Sequence, residues 1–314
     1  MHKRLLNEVS LDLRLRPDGP IMVKAGDTGA DPTLPAMEFV RTNGQLYLPG
    51  SSLKGVIRSH AERLARTVGG ARMACDPLHD RDSCSQRLHR EKPDTTAAVH
   101  AGSCFVCRLF GNTSLASRFH IADAMPVAGS TPTTEERNGV AIDRVFGAVA
   151  DGSLFSLETM TEGTLDTTVF IRNFGLAQLG LLALVFRDIQ EQRVRVGFAK
   201  SRGLGAIGLE VTRLCIRYPT CELQSGQLVP WGGAPVASAT EAVGVGAFAD
   251  SDGYDFAEAD RITLPEGVSY DSAGWGEAEL VIQDGTALTA LWQACVGSWR
   301  EEVRRWMLNG QGAS

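Results

Sequence analysis

The chain has 314 residues, 43% of them hydrophobic, which is enough for one large domain or two ordinary ones around a sizeable core. No apolar run reaches the length of a membrane span, and the basic start Met1-His2-Lys3-Arg4 meets Asn7, Glu8, Asp12 and Arg14 before a signal-peptide apolar stretch can form, so a cytoplasmic protein is expected. The net charge of -6 is unevenly placed: residues 215–314 hold 5 basic and 14 acidic side chains, leaving 26 basic and 23 acidic in residues 1–214, so a nucleic-acid partner for the body is not excluded.

Glu8 to Arg16 alternates Val9, Leu11, Leu13 and Leu15 with polar residues, the pattern of a half-buried strand. Residues 25–32 are turn-rich. Met37 to Leu48 reads as one or two strands broken at Asn43-Gly44, a hairpin signal. Leu48-Pro49-Gly50-Ser51-Ser52 is a glycine turn that opens a helix over Ser51 to Arg66, with Leu53, Val56, Ile57, His60 and Leu64 on its apolar face. Free N–H groups of a helix start bind phosphate, and Lys54 and Arg58, one turn apart, add positive charge. The bland reading is an ordinary capped helix. His60 reads as a core histidine.

Residues 69–103 are polar and irregular, an insertion with too little apolar content to order itself. Cys75, Cys84, Cys104 and Cys107 lie within it or at its edge, the last two as a C-x-x-C. Seven cysteines, an odd number, fit a reducing compartment and a metal site better than a disulfide framework. Four thiolates would close a structural zinc site whose binding energy orders the insertion, with His79, His89 and His100 as spare ligands. Cys215, Cys221 and Cys295 read as core residues.

Arg118 to Ala124 is strand-like, Pro126 to Arg137 a loop, and Val140-Ala141-Ile142 an apolar run. Asp143-Arg144 reads as a surface ion pair. Leu154 to Leu157 and Thr167 to Ile171 are strands, and Leu176 to Ile189 an apolar helix. Strands at Arg193 to Gly197 and Ala206 to Ile216 flank Gly197-Phe198-Ala199-Lys200-Ser201-Arg202-Gly203-Leu204-Gly205. This loop is a second phosphate-binding candidate through Lys200 and Arg202, but it is no P-loop. Helical spacing returns at Ala287 to Trp306. Trp292, Trp299 and Trp306, spaced by seven, suggest one packed face, against the core or a neighbour.

The succession strand, helix, strand, strand, helix, strand predicts an α+β fold with a ferredoxin-like core. We divide the chain into a core over 1–217, with a zinc insertion at 69–113 and a hairpin at 125–153, and an acidic extension over 218–314; the family resemblance given next implies that the core is a modified RNA-recognition motif and the hairpin a thumb.

Leu48 to Arg58 together with Gly197 to Gly205 resembles the RAMP superfamily of CRISPR-associated proteins, and more narrowly the repeated backbone subunit of type III effector complexes. Cys104-x-x-Cys107-Arg108-Leu109-Phe110-Gly111 is similar to the zinc-bearing insertion of some of these subunits. Val140 to Arg144 is similar to the segment leading out of their thumb. The resemblance covers roughly residues 5–214. It implies several copies stacked along one guide RNA beside other effector subunits. Ser51, Ser52, Lys54, Arg58, Arg144, Lys200 and Arg202 would contact RNA, and the thumb would wedge into the guide–target duplex. Base pairing would supply specificity.

Many such subunits cut target RNA with an aspartate in the loop before the Pro-Gly-Ser-Ser turn. The resemblance nominates Asp31, then Asp27, with Mg or Mn assisting. Related subunits often carry Asp-x-Pro there, whereas the best match here is Thr33-Leu34-Pro35, which favours a non-catalytic RNA-holding subunit. Both acids also fit simple turn chemistry beside Gly or Pro. A stand-alone guide-processing enzyme lacks a convincing His-Tyr-Lys set, and four thiolates leave no open metal position for zinc hydrolysis.

Overall fold

The computed structural model describes residues 3–26, 35–79, 81, 83–248, 254–257 and 259–308. The first half contains β1 (Glu8–Pro17), β2 (Arg41–Thr42), β3 (Gln45–Leu46), α1 (Gly50–Met73), α2 (Cys84–Glu91), α3 (Thr96–Ala101), α4 (Phe105–Phe110), β4 (Phe119–Ile121), β5 (Met125–Pro126) and β6 (Thr133–Gly139). There follow β7 (Phe155–Glu162), β8 (Leu165–Arg172), α5 (Leu176–Gln190) and β9 (Ile207–Tyr218). The last part adds β10 (Cys221–Gln224), β11 (Gln227–Pro230), β12 (Ala237–Ser238), β13 (Glu241–Val243), β14 (Arg261–Thr263), β15 (Asp271–Ala273), β16 (Glu277–Ile282) and α6 (Gly285–Leu308).

One antiparallel sheet dominates, in the order β15-β16-β9-β1-β8-β4, with β5 also on β8. The protein is a mixed α and β fold. The alternation in β1 works as its pattern requires: Val9, Leu11, Leu13 and Leu15 are all but sealed from solvent. Leu13 and Leu15 meet Leu53 and Ile57 of α1 and Ile189 of α5. Burying each such side chain contributes about 1.5–3 kcal/mol. The other face carries cross-strand ion pairs. Glu8 accepts from Arg172 (2.9 Å) and Arg217 (3.0 Å), Asp166 from Arg14 (2.9 Å), and Glu279 from Arg213 (3.1 Å). Arg14, Arg172, Arg213 and Arg217 on this face are thus engaged by neighbouring carboxylates.

The segment after Tyr218 completes this sheet. β16 pairs with β9, Leu280 opposite Ile216, and α6 lies against α5. At Gly180 a Cβ would stand 2.1 Å from the Cys295 carbonyl oxygen, so only glycine permits that crossing. The tryptophan stripe faces inward. Trp299 and Trp306 lie 4.9 and 6.1 Å from the Phe105 ring, and Trp292 lies 6.4 Å from Phe186. The packed face therefore meets the protein's own core. Cys215, Cys221 and Cys295 are buried.

Three segments depart from the sequence expectation. Arg193 to Gly197 is not a strand. Val194 and Val196 are buried, but the segment turns back on the glycine loop, Val196 N–H donating to Gly205 (2.9 Å), instead of joining a sheet. Thr133–Gly139, expected as loop, is a strand paired with β7. The 69–103 insertion holds the end of α1, which bends at Gly70 (φ +58°), and the helices α2 and α3.

Candidate functional site

Strand register brings the sequence-nominated loops to one end of the sheet. Leu15 pairs with both Leu165 and Leu209, and Pro17 with Ile207. The end of β1 thus coincides with the starts of β8 and β9. The segment after β1, the β6–β7 hairpin before β8 and the glycine loop before β9 all depart there. Leu48, just ahead of α1, bridges Ala124, next to the pairing of β5 with β8, so the helix start joins the same end.

The start of α1 is held from outside. Gly50 N–H donates to Asp123 Oδ1 (2.7 Å), and a Cβ on Gly50 would lie 2.6 Å from the Ile121 carbonyl oxygen. A carboxylate here satisfies a free N–H of the first turn and favours the helix dipole. Nothing in the sequence pairs Asp123 with a helix 73 residues earlier in the chain. Ser51 is exposed and Ser52 half-buried. Lys54 Nζ donates to Ser117 Oγ (2.8 Å) and the Phe119 carbonyl (3.1 Å); burial, then the charge of Arg58, pulls its amine below the usual lysine range. Arg58 Nε donates to Glu62 (2.8 Å) and Nη1 to the Gly111 carbonyl (3.2 Å), while Nη2 reaches Cys107 Sγ (3.6 Å). His60 Nε2 bonds Asp188 (2.7 Å) on α5, joining the two crossover helices.

The glycine loop seats itself on the strand exit. Gly197 has φ +85°, and a Cβ there would lie 2.1 Å from the Met22 carbonyl oxygen, which accepts from Phe198 N–H (2.7 Å). Lys200 and Arg202 sit on an exposed 3-10 turn. The Arg202 guanidinium stands 5.4 Å from the Phe198 ring centre and 5.7 Å from that of Phe155. Met22, Leu157 and Leu204, with Met37, Phe155 and Phe198, form a small second core that joins this loop to the hairpin base.

Asp27, Asp31 and Thr33 lie outside the described residues. Their described flanks reach the same small core: Ala25 N–H donates to Glu38 (3.0 Å), and Met37 N–H to Ser156 (3.1 Å) on β7. Glu158 accepts from Phe39 N–H (2.9 Å) and Arg41 (2.8 Å). Burial alone would raise this carboxyl, but the Arg41 hydrogen bond holds it below the usual range.

The β6–β7 hairpin ends in an apolar tip. Val145 and Phe146 are each 83% exposed, and Ile142, Val149 and Leu154 are exposed beside them. Asp143 shapes the tip by accepting from Val145 N–H (2.7 Å) and Phe146 N–H (2.9 Å), bonds that lower its carboxyl pKa. Arg144 is exposed at the same turn.

Cys75, Cys84, Cys104 and Cys107 come together as a buried group whose sulfurs all lie within 4.8 Å of one another. Cys75 and Cys107 Sγ are 3.7 Å apart. Four thiolates about 2.3 Å from one zinc ion stand about 3.8 Å from each other at tetrahedral angles. The donor set therefore fits a metal such as zinc. Backbone N–H groups point at sulfur as well, Cys104 to Cys84 (3.2 Å) and Cys107 to Cys104 (3.4 Å). Hydrogen bonds among the four sulfurs lower the Cys75 and Cys84 thiols, toward the thiolate form that metals bind, and raise those of Cys104 and Cys107. His100 instead packs against the rings of Tyr254 and Phe256. No described helix is long and apolar enough to cross a membrane.

The sequence model of the RAMP superfamily matches residues 15–208, from the end of β1 into β9, and the chain belongs to that superfamily. Membership points to a CRISPR-associated RNA-binding subunit. No curated protein matches the chain.

Proposed function

We propose that the chain is a guide-RNA-holding backbone subunit of a type III CRISPR ribonucleoprotein, stacked with further copies and other effector subunits along one guide. The observation that carries this reading is the convergence, at one end of the sheet, of the α1 start, the glycine loop and the exposed hairpin. The order β9-β1-β8-β4, with α1 and α5 as crossovers, is the order of a ferredoxin-like core and supports an RNA-recognition-motif ancestry. Lys200 and Arg202 are exposed cations with no carboxylate partner among the described residues, suited to backbone phosphate. Ser51 and Ser52 add hydroxyl donors, the Ser52 N–H being taken by the Pro49 carbonyl (3.0 Å), with Lys54 behind them. The ion-paired sheet face offers phosphate far less.

The apolar tip suits a different contact. Val145 and Phe146 stack against bases better than they bind phosphate, and Arg144 beside them reaches the backbone. A hairpin of this kind serves as the thumb that opens the guide–target duplex. Specificity then comes from base pairing, and the protein supplies charge and shape.

In this reading Asp31, or Asp27, assists cleavage of the target. The 2′-hydroxyl attacks the adjacent phosphorus in line, the 5′-oxygen of the next nucleotide leaves, and the carboxylate takes the hydroxyl proton or holds Mg or Mn. The described flanks of residues 27–34 join the small core at the proposed thumb base, where a displaced nucleotide would lie. Thr33 favours a second reading, a subunit that holds guide and target without cutting. A denaturing gel of labelled target RNA, incubated with guide-loaded complex and magnesium or manganese, separates the two. Regularly spaced cuts abolished in Asp31→Ala or Asp27→Ala establish cleavage; an intact but tightly bound target establishes holding alone.

A further inference from the structure

We propose that Arg58 and Arg87 form the charge-balancing shell of the four-cysteine metal centre, and that Arg58 fastens the clamp helix to this centre instead of binding phosphate. The inference rests on the reading of the cysteine cluster as a metal site and is independent of the RNA reading. A divalent ion held by four thiolates carries a net charge of about -2. Burying such a charge without partners is costly, and cationic donors relieve it. Two guanidinium groups reach the sulfurs: Arg58 Nη2 lies 3.6 Å from Cys107, and Arg87 Nη2 lies 3.9 Å from Cys84. Two guanidinium charges face the two negative ones, with Glu62 taking part of the Arg58 charge through its own ion pair (2.8 Å).

Both guanidinium groups are fixed by further bonds. Arg58 is held by Glu62 and the Gly111 carbonyl, and Arg87 by the Gly102 carbonyl. Gly102 and Gly111 bracket the C-x-x-C segment, so Arg58 grips the Cys107 sulfur and the chain that carries it, while Arg87 ties the Cys84 sulfur of its own helix to the chain entering that segment. Donors to sulfur withdraw electron density, which slows attack by protons, chelators and alkylating agents. The geometry also divides two cations that share one helix face in sequence. Arg58 turns toward the metal, and Lys54 toward Ser117 and Phe119, in the segment that returns from the C-x-x-C helix to the sheet. Metal binding thereby fixes the helix whose first turn faces the proposed guide path.

The test uses zinc-loaded full-length protein, with metal content measured first and zinc transfer to a chromophoric chelator measured next. Arg58→Gln and Arg87→Gln should each release zinc about tenfold faster than wild type, and iodoacetamide should alkylate their cysteines correspondingly faster. Arg63→Gln, an exposed position on the same helix, should match wild type. Arg58→Lys and Arg87→Lys, which keep the charge, should recover part of the loss, and they carry the test if the glutamine variants fail to fold. Unchanged release in both single variants overturns the proposal. So does purified protein that binds no zinc. If zinc-loaded Arg58→Gln keeps wild-type release but loses guide affinity, Arg58 is a phosphate contact and the assignment is wrong.

Discussion

Asp260 shows how a single carboxyl ties the acidic C-terminal segment to the body. It accepts from Leu176 N–H (2.9 Å) at the start of α5 and from Gly246 N–H (3.1 Å). Burial pushes its pKa up to about 6, against about 3.9 in an unfolded chain. The folded state therefore holds this proton more tightly. The stability the carboxyl contributes is full below about pH 4 and is lost as pH rises through its folded value, a change of about 3 kcal/mol. Urea melts of wild type and Asp260→Asn should show the difference between the two proteins shifting by that amount from acid to neutral pH. A constant difference would mean that the carboxyl is not raised. At the cysteine cluster, Cys107→Ser should drop bound zinc from one ion per chain to well below it and lower Tm, because metal affinity here is folding energy. Elemental analysis beside a thermal melt checks both.

Among the elements, the α5–α6 crossing is the most exacting. With a Cβ at Gly180 only 2.1 Å from the Cys295 carbonyl oxygen, Gly180→Ala should destabilise by about 1–3 kcal/mol through overpacking, read as a lower Tm. The β6–β7 hairpin, the proposed thumb, behaves in the opposite way. Val145→Ser with Phe146→Ser removes two exposed side chains, so stability should stay within about 0.5 kcal/mol while target-RNA engagement changes; unaltered target binding and processing would remove the wedge role. Elements with a buried face were legible in the sequence: β1 by its alternation, α1, α5 and α6 by helical spacing. The β6 strand was not, because Thr133–Gly139 is exposed almost throughout and no core imprints a period on it. Arg193 to Gly197 misled for the converse reason, since buried Val194 and Val196 alternate without a strand partner. The metal ligands could be read from cysteine spacing. The contact of Arg58 with sulfur could not, since it depends on how α1 and the C-x-x-C segment meet.

For the whole molecule, topology accounts for both the superfamily match and the charge split. The matched stretch, residues 15–208, contains the glycine-opened helix, the β6–β7 hairpin and the glycine loop. The acidic remainder supplies β16 and β15 beyond β9, at the sheet edge opposite β4, and packs α6 across α5. Its Glu277 and Glu279 pair with Arg217 and Arg213, toward the end of β9 away from the glycine loop. Among the described residues Lys200 and Arg202 at the glycine-loop end have no carboxylate partner, whereas Arg14, Arg172, Arg213 and Arg217 on the open sheet face are ion-paired. The most direct test of an RNA-holding role is the salt dependence of guide binding. Labelled single-stranded guide would be titrated with wild type and with Lys200→Ala/Arg202→Ala over a series of salt concentrations. The account predicts weaker binding and a slope of log K against log salt shallower by about 0.7 for each lost contact, roughly 1.4 for the pair. Equal affinity and an equal slope would contradict it, because the glycine loop would then lie off the path of the guide.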